Sequence, residues 1–228
     1  MNITYYGHSC FLVDLNDIKI LFDPFITPNP IANKVDLDSI KADYILISHG
    51  HEDHVADVDY IAKRTGAKII SNFEIVSWFA SKKGIENNHP INHGGKIELK
   101  NGITAKYVNA IHSSVLPDGT YGGNPGGWVV ESTKMSFYYS GDTALTYDMK
   151  LLGEYHNLNF AFLCIGDNFT MGIEDSAIAA QFAGVQDVIG MHYDSFGYIE
   201  INHHAAKKHY EKNGLNLTLL NINETITK

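Results

Sequence analysis

The sequence predicts an α/β protein built of two layered sheets flanked by helices, and three observations carry that prediction. Its 228 residues are 44% apolar, enough to bury a sizeable core. Short β-type runs open the chain as a meander and give way to strand–helix alternation, the arithmetic of α/β folds. The middle then returns to β-type runs and the last third to alternation, so the two halves repeat one plan. No low-complexity linker separates them, and residues 1–228 read as one domain.

The runs "NITYYG", "CFLVDL" and "IKILFD" read as meander strands, followed by the Pro-rich loop "DPFITPNP". "DYILIS" is apolar at nearly every position, as a strand covered on both faces should be. "VADVDYIAKRTG" has apolar residues at helical spacing and a glycine stop at Gly66. "AKIIS" is a strand again, and "FEIVSWFASKKG" a second helix with the same kind of stop. Four β-type runs follow, "KIEL", "ITAKYVNAI", "GWVVES" and "MSFYYSG", separated by Gly, Asn and Ser clusters. Among them "HSSVLPDGTYGGNPGG" is too long and glycine-rich for a plain turn, which predicts a functional loop over a site. The final third reads helix "MKLLGEYH", strand "FAFLCI", helix "EDSAIAAQFAG", strand "DVIGMH", helix "HHAAKKHYEKNG" and strand "NLTLLN".

Formal net charge is -9, with no acidic or basic tail, and this deficit of Lys and Arg argues against a nucleic-acid partner. Cys10 and Cys164 each sit inside an apolar run, which fits buried thiols in a reducing compartment rather than a disulfide framework. The N-terminus shows neither a basic segment nor a continuous apolar one, and no apolar run is long enough to span a bilayer. The expectation is a cytoplasmic protein acting on a small molecule, without a membrane partner. A homo-oligomer is compatible with the size, although no segment declares an interface.

The chemistry is concentrated in "SHGHEDH", residues 48–54, at the end of the buried run. His49 and His51 are two apart and point the same way in extended chain. Asp53 and His54 follow at the start of the predicted helix, swung round by the turn. One segment thus aims two pairs of ligand-type side chains at neighbouring points. Imidazole and carboxylate suit zinc and other first-row metals, and the spacing suggests two metals side by side. Three further residues end apolar runs: His112 after "YVNAI", Asp142 after "FYYSG" and His192 after "VIGM". A lone histidine there is more often a surface residue, and an Asp in "SGDT" can simply cap a turn; it is their shared placement that singles them out. A solvated His-rich helix cap would account for the first cluster and leave the other three unexplained.

"SHGHEDH", His112, "SGDT" and "GMHYD", in this order and over nearly the whole chain, resemble the motif series of the metallo-β-lactamase superfamily. The shortness of the chain, "YYGHSCFL", "LFDPFI" and "DNFTMGIEDSA" resemble more narrowly its small bacterial metal-dependent hydrolases related to the L-ascorbate-6-phosphate lactonases. The resemblance implies a four-layer αβ/βα sandwich, two mixed β-sheets flanked by helices. It implies that His49, His51 and His112 hold one divalent ion, that Asp53, His54 and His192 hold a second, and that Asp142 bridges the two. Zinc is the first expectation, with manganese, iron and nickel compatible with the same donors. Two such ions share a water of lowered pKa and polarise a carbonyl or phosphoryl oxygen, which predicts hydrolysis of an ester, lactone or phosphodiester bond in a small anionic metabolite.

Asp53 is also a candidate for proton transfer at the leaving group. Asp23 in "FDP" resembles the superfamily's early aspartate, which accepts a hydrogen bond from a ligand histidine; a turn-starting Asp before Pro24 is the alternative. His8 in "GHS" is expected to face the site as substrate contact or proton donor, against a structural histidine at a strand end. Thr170, Met171 and Gly172 in "FTMG" resemble a motif near the pocket, and Tyr193, Asp194 and the stretch around Tyr121 are expected to help shape it. His89, His93, His156, His203, His204 and His209 lack companion ligands and read as surface or capping residues.

Other activities known on this fold supply the rival readings: a redox-active, oxygenase-like iron protein, a nuclease, or a metal-binding protein without catalysis. The diiron reductases usually carry a flavin domain for which 228 residues leave no room. The iron dioxygenases use fewer ligands, and the nucleases add a substrate arm and a basic face. Hydrolysis therefore stands first.

Overall fold

The computed structural model describes residues 1–228 throughout. Strands β1 (Asn2–Gly7), β2 (Cys10–Leu15) and β3 (Ile18–Phe22) form the antiparallel meander. Strands β4 (Tyr44–Leu46), β5 (Lys68–Asn72) and β6 (Asn88–Ile91) add to it in parallel, linked through helices α1 (Glu52–Val55), α2 (Val58–Thr65) and α3 (Phe73–Lys83). The second half repeats the plan. An antiparallel run of β7 (Lys96–Glu98), β8 (Thr104–Asn109), β9 (Gly126–Glu131) and β10 (Ser136–Tyr139) leads into parallel β11 (Phe160–Cys164), β12 (Asp187–Met191) and β13 (Asn216–Thr218). Helices α4 (Asp148–Tyr155), α5 (Ile173–Phe182) and α6 (His203–Lys212) make the crossovers. The last strand, β14 (Thr225–Thr227), returns to pair with β1. Two seven-stranded mixed sheets result, ordered β14-β1-β2-β3-β4-β5-β6 and β13-β12-β11-β10-β9-β8-β7. This is the αβ/βα sandwich that the sequence predicts.

Alternation along the strands sorts side chains into two cores. In β2, Phe11, Val13 and Leu15 enter the cluster between the sheets, whereas Cys10 faces the helices; in β4 and β5, Leu46 and Ile70 point inward and Ile45 and Ile69 outward. Aromatic contacts join the sheets face to face: Phe11 and Phe162 have ring centroids 4.6 Å apart, and so do Phe22 and Tyr139. Both cysteines are fully buried and unpaired. No helix is long and apolar enough to cross a membrane.

The structure departs from the sequence reading in three places. Strand β6, "NHPI", carries Pro90 and escapes β-pattern recognition, yet it lies at a sheet edge, where a missing N–H costs no ladder bond. The single helix expected over "VADVDYIAKRTG" is split at Asp57. That carboxylate accepts the backbone N–H groups of Ile26 (2.6 Å) and Thr27 (2.9 Å), and the Asp57 N–H donates to the Pro24 carbonyl, so the Pro-rich loop pins the chain where a continuous helix would pass. Strand β14 has only three residues, and its partner is at the opposite end of the chain.

Strand direction places the site. From the pairing, β1, β3, β4 and β5 run the same way in one sheet, and β8, β10, β11 and β12 do so in the other. His8, Asp23, the 48–54 segment, His112, Asp142 and His192 all follow the C-terminal ends of such strands. They therefore gather in the loops along one end of the sandwich, the usual location of sites on parallel strands.

Candidate metal centre

The donor atoms converge as two groups. The ligand atoms of His49, His51 and His112 lie within 4.8 Å of one another, and so do those of His8, Asp53, His54 and His192. Asp142 stands between the groups. Its Oδ2 is 3.9 Å from His49 Nε2 and 3.6 Å from His112 Nε2 on one side, and 3.4 Å from His54 Nε2 and 2.9 Å from His192 Nε2 on the other. The turn that delivers Asp142 requires glycine before it: Gly141 has φ +59°, and a Cβ there would sit 2.7 Å from the Gly126 carbonyl oxygen.

Beneath the cluster Asp23 is fully buried and accepts four hydrogen bonds. Oδ1 takes the Ser48 N–H (2.7 Å), while Oδ2 takes the Ser48 hydroxyl (2.6 Å), the Tyr139 hydroxyl (2.8 Å) and His54 Nδ1–H (2.9 Å). This arrangement settles the tautomers. The only proton on Ser48 Oγ is committed to Asp23, so that oxygen accepts from His49 Nδ1–H at 2.9 Å. His49 and His54 both turn Nε2 into the cluster, the atom through which each would ligate a metal. Asp23 also lies within ligand distance of His49 and His54, but its oxygens are already occupied by these donors.

Two buried atoms test whether the site suits a cation. His54 Nε2 and Asp142 Oδ1 have no hydrogen-bond partner, a costly state for polar groups out of reach of water. The charges point the same way. Burial opposes ionisation of Asp142, but His192 and His54 outweigh it and hold the carboxyl well below its usual range. Burial likewise opposes charge on His54, yet Asp142 and Asp53 raise its pKa well above the ordinary value. Burial, reinforced by His54, pushes His49 and His51 down; burial also pushes His112 down, so these imidazoles stay neutral, the form that ligates metal. Nitrogen and carboxylate donors in this number fit first-row divalent ions.

The cluster opens into a cavity of about 250 Å³ lined by His51, Asp53, His112, Ser113, Asp142, Phe169 and His192. Larger hollows, one of about 460 Å³ beside Trp78 and one of about 500 Å³ at the start of α5, lack the imidazoles. Sequence reasoning missed Phe169 and Ser113. Of the expected substrate contacts, Met171 is buried with its N–H on the Thr143 carbonyl, and the Tyr193 hydroxyl bonds the Leu220 carbonyl in the interior. Thr170 turns its hydroxyl to its own loop, and Gly172 caps α5. None of the four lines the cavity. Asp167 (φ 62°) and Asn168 (φ 54°) form a left-handed turn that throws Phe169 out, 52% exposed, against the ring of Tyr198. The "FTMG" motif therefore buries its methionine and presents the residue before its threonine. His8 is completely buried and is not among the residues that line the cavity. Burial, with His192 beside it, lowers its pKa to about 4. Among the remaining histidines, His93, His156 and His203 bond the Pro125 carbonyl, Glu131 and Asp194.

Two facing mixed sheets with an imidazole and carboxylate cluster at one end define the class of metal-binding proteins with the β-lactamase fold. Residues 2–192 match the family model described as the beta-lactamase superfamily domain, and the chain belongs to that family. It is 53% identical over 226 residues to a UPF0173 metal-dependent hydrolase of Flavobacterium johnsoniae, with 99% of each chain covered. A protein of the same description from Christiangramia forsetii is 52% identical over 227 residues, again covering 99% of each. Among solved structures, Igni18, a metallo hydrolase from the archaeon Ignicoccus hospitalis, superposes with a TM-score of 0.89 at 32% identity, over 99% of this chain and 97% of that one.

Proposed function

We propose that this hydrolase is dinuclear, with His49, His51 and His112 holding one divalent ion, Asp53, His54 and His192 a second, and Asp142 shared between them. The observation that carries this reading is the reach of one Asp142 oxygen to imidazole nitrogens of both groups, all within 3.9 Å. When bound, zinc, or manganese, iron or nickel in its place, would supply Lewis-acid polarisation of a carbonyl or phosphoryl oxygen and a water acidic enough to attack at neutral pH. The chain supplies the rest. Asp23 and Ser48 hold His54 and His49 in the ligating tautomer. Asp53 lines the cavity and engages the protein through Oδ2 alone. Burial opposes its ionisation, but His54 and His8 hold it below the usual carboxylate range, so it stays an anion at neutral pH, the form in which a carboxylate would bind a cation.

The substrate is read as a small molecule with an ester, lactone or phosphodiester bond. None of the seven cavity-lining side chains is Lys or Arg, so a negative charge on the substrate would be met by the ions themselves. Metal-stripped protein reloaded with each of the four metals, assayed on lactones, phosphodiesters and thioesters alongside elemental analysis, tests the proposal. Two ions per chain and metal-dependent turnover abolished by Asp142→Ala are expected. One ion per chain, or turnover indifferent to that substitution, refutes it.

A further inference from the structure

His8 belongs spatially to the second donor group, yet the proposed ligand set has no use for it. Both of its ring nitrogens are engaged: Nε2 lies 3.1 Å from Asp53 Oδ2, and Nδ1 lies 3.0 Å from Ser195 Oγ. A carboxylate that is ionised can only accept, so Nε2 carries the proton and donates to Asp53, and Nδ1 accepts from the Ser195 hydroxyl. The ring is held on other sides too. Phe25 and Phe196 each meet it edge-on at 5.4 Å, and His192 lies 4.1 Å away. The His8 carbonyl accepts the His192 N–H at 3.0 Å and the Tyr5 hydroxyl at 3.2 Å. One β1–β2 turn thus fastens the backbone of one ligand from the second sheet and the carboxylate of another from α1.

Asp53 has particular need of such a restraint. Its side chain is 26% exposed, whereas those of His54 and His192 are 0% and 2% exposed. It rides on a four-residue helix whose N-terminus has no side-chain cap. Packing alone does not fix its rotamer, and a carboxylate free to turn toward water is a weak ligand.

We propose that His8 is a positioning residue for the second metal position, its Nε2–H locking Asp53 Oδ2 where the carboxylate faces His54 and His192. The inference rests on the dinuclear reading above. It is tested by loading metal-stripped wild type, His8→Phe, His8→Gln and His8→Asn with zinc or cobalt, and measuring stoichiometry, stepwise dissociation constants and the cobalt absorption spectrum. In His8→Phe the first ion binds as in wild type and the second about 10–100-fold more weakly, the usual effect of losing a group that orients a ligand. In His8→Gln an amide N–H still reaches Asp53 and restores most of the second affinity, whereas the shorter Asn does not. Should His8→Phe fail to fold, the Gln and Asn pair carries the comparison. Unchanged binding of both ions in Phe and Asn variants overturns the proposal. Loss of the second ion in His8→Gln as complete as in His8→Asn also overturns it, since that pattern marks a direct ligand. A wild type that never takes a second ion sinks the dinuclear reading itself, whereas defects confined to the variants bear on His8 alone.

Discussion

Replacing Asp23 by asparagine changes one atom in the middle of the network and has consequences in both donor groups. Asparagine keeps the shape and tolerates the left-handed backbone found here, φ 40°. Its Oδ1 can retain the Ser48 N–H. Its Nδ2, however, replaces an oxygen that now accepts from Ser48, Tyr139 and His54. Tyr139 can still donate to the Ser9 carbonyl at 2.8 Å, and Ser48 can turn its hydroxyl to His49 Nδ1. His54 has no such alternative: its Nδ1–H now faces another N–H inside the protein. One lost bond to a charged group costs about 1.5–3 kcal/mol. For a chain of this size that lowers the Tm by about 3–12 °C. The escape open to His54 is to give up its Nδ1 proton and keep one on Nε2, which points at the Asp53 and His192 donor atoms. The Ser48 reversal strips His49 of its proton acceptor in the same way. Affinity for divalent ions should fall about 10–100-fold. Thermal unfolding of metal-stripped protein and competition titration with zinc measure the two effects separately. An unchanged Tm together with unchanged zinc affinity would refute the claim that Asp23 sets these tautomers.

Gly141→Ala should destabilise by about 2 kcal/mol or more, from left-handed strain plus the 2.7 Å approach to the Gly126 carbonyl, and should lower turnover by shifting Asp142; denaturant midpoints and kcat check it. Phe169→Ala should leave stability within about 0.5 kcal/mol because the ring is half exposed, while raising KM several-fold with kcat nearly constant if the ring contacts bound substrate. For metal-stripped protein, the folded pKa values of His8, His49, His51 and His112 lie below the unfolded value of about 6.5, so the folded state binds fewer protons and stability falls as pH drops below that value. His8, with its pKa at about 4, accounts for about 3 kcal/mol of loss by the time the pH reaches its own value. His54 is raised instead and keeps its stabilisation below 6.5, losing it only as pH rises through its folded value. A urea midpoint that stays flat from pH 7 to 4 would contradict this.

Much of the architecture was legible in the chain because strand and helix periods are local properties. The runs "CFLVDL" and "DYILIS" alternate, or stay apolar, according to the faces they bury, and the two cores follow from that alternation. The edge strands β6 and β14 were not legible, since edges tolerate Pro90 and a three-residue strand draws its stability from a partner 220 or so residues away. The split at Asp57 was hidden for the same reason: its cause is the Pro-rich loop, not the helix itself.

The ligand-type residues could likewise be named from order and residue type, because seven imidazoles and carboxylates at strand ends form a pattern along the chain. What they bond to is a property of space. The sequence determined which elements form and which side chains carry donor atoms. Only the folded chain decided that Asp23 anchors His54, that His8 is sealed inside against Asp53, and that Phe169 rather than Met171 reaches the cavity. Those choices depend on left-handed turns and on contacts between two sheets, neither of which leaves a periodic trace in the order of residues.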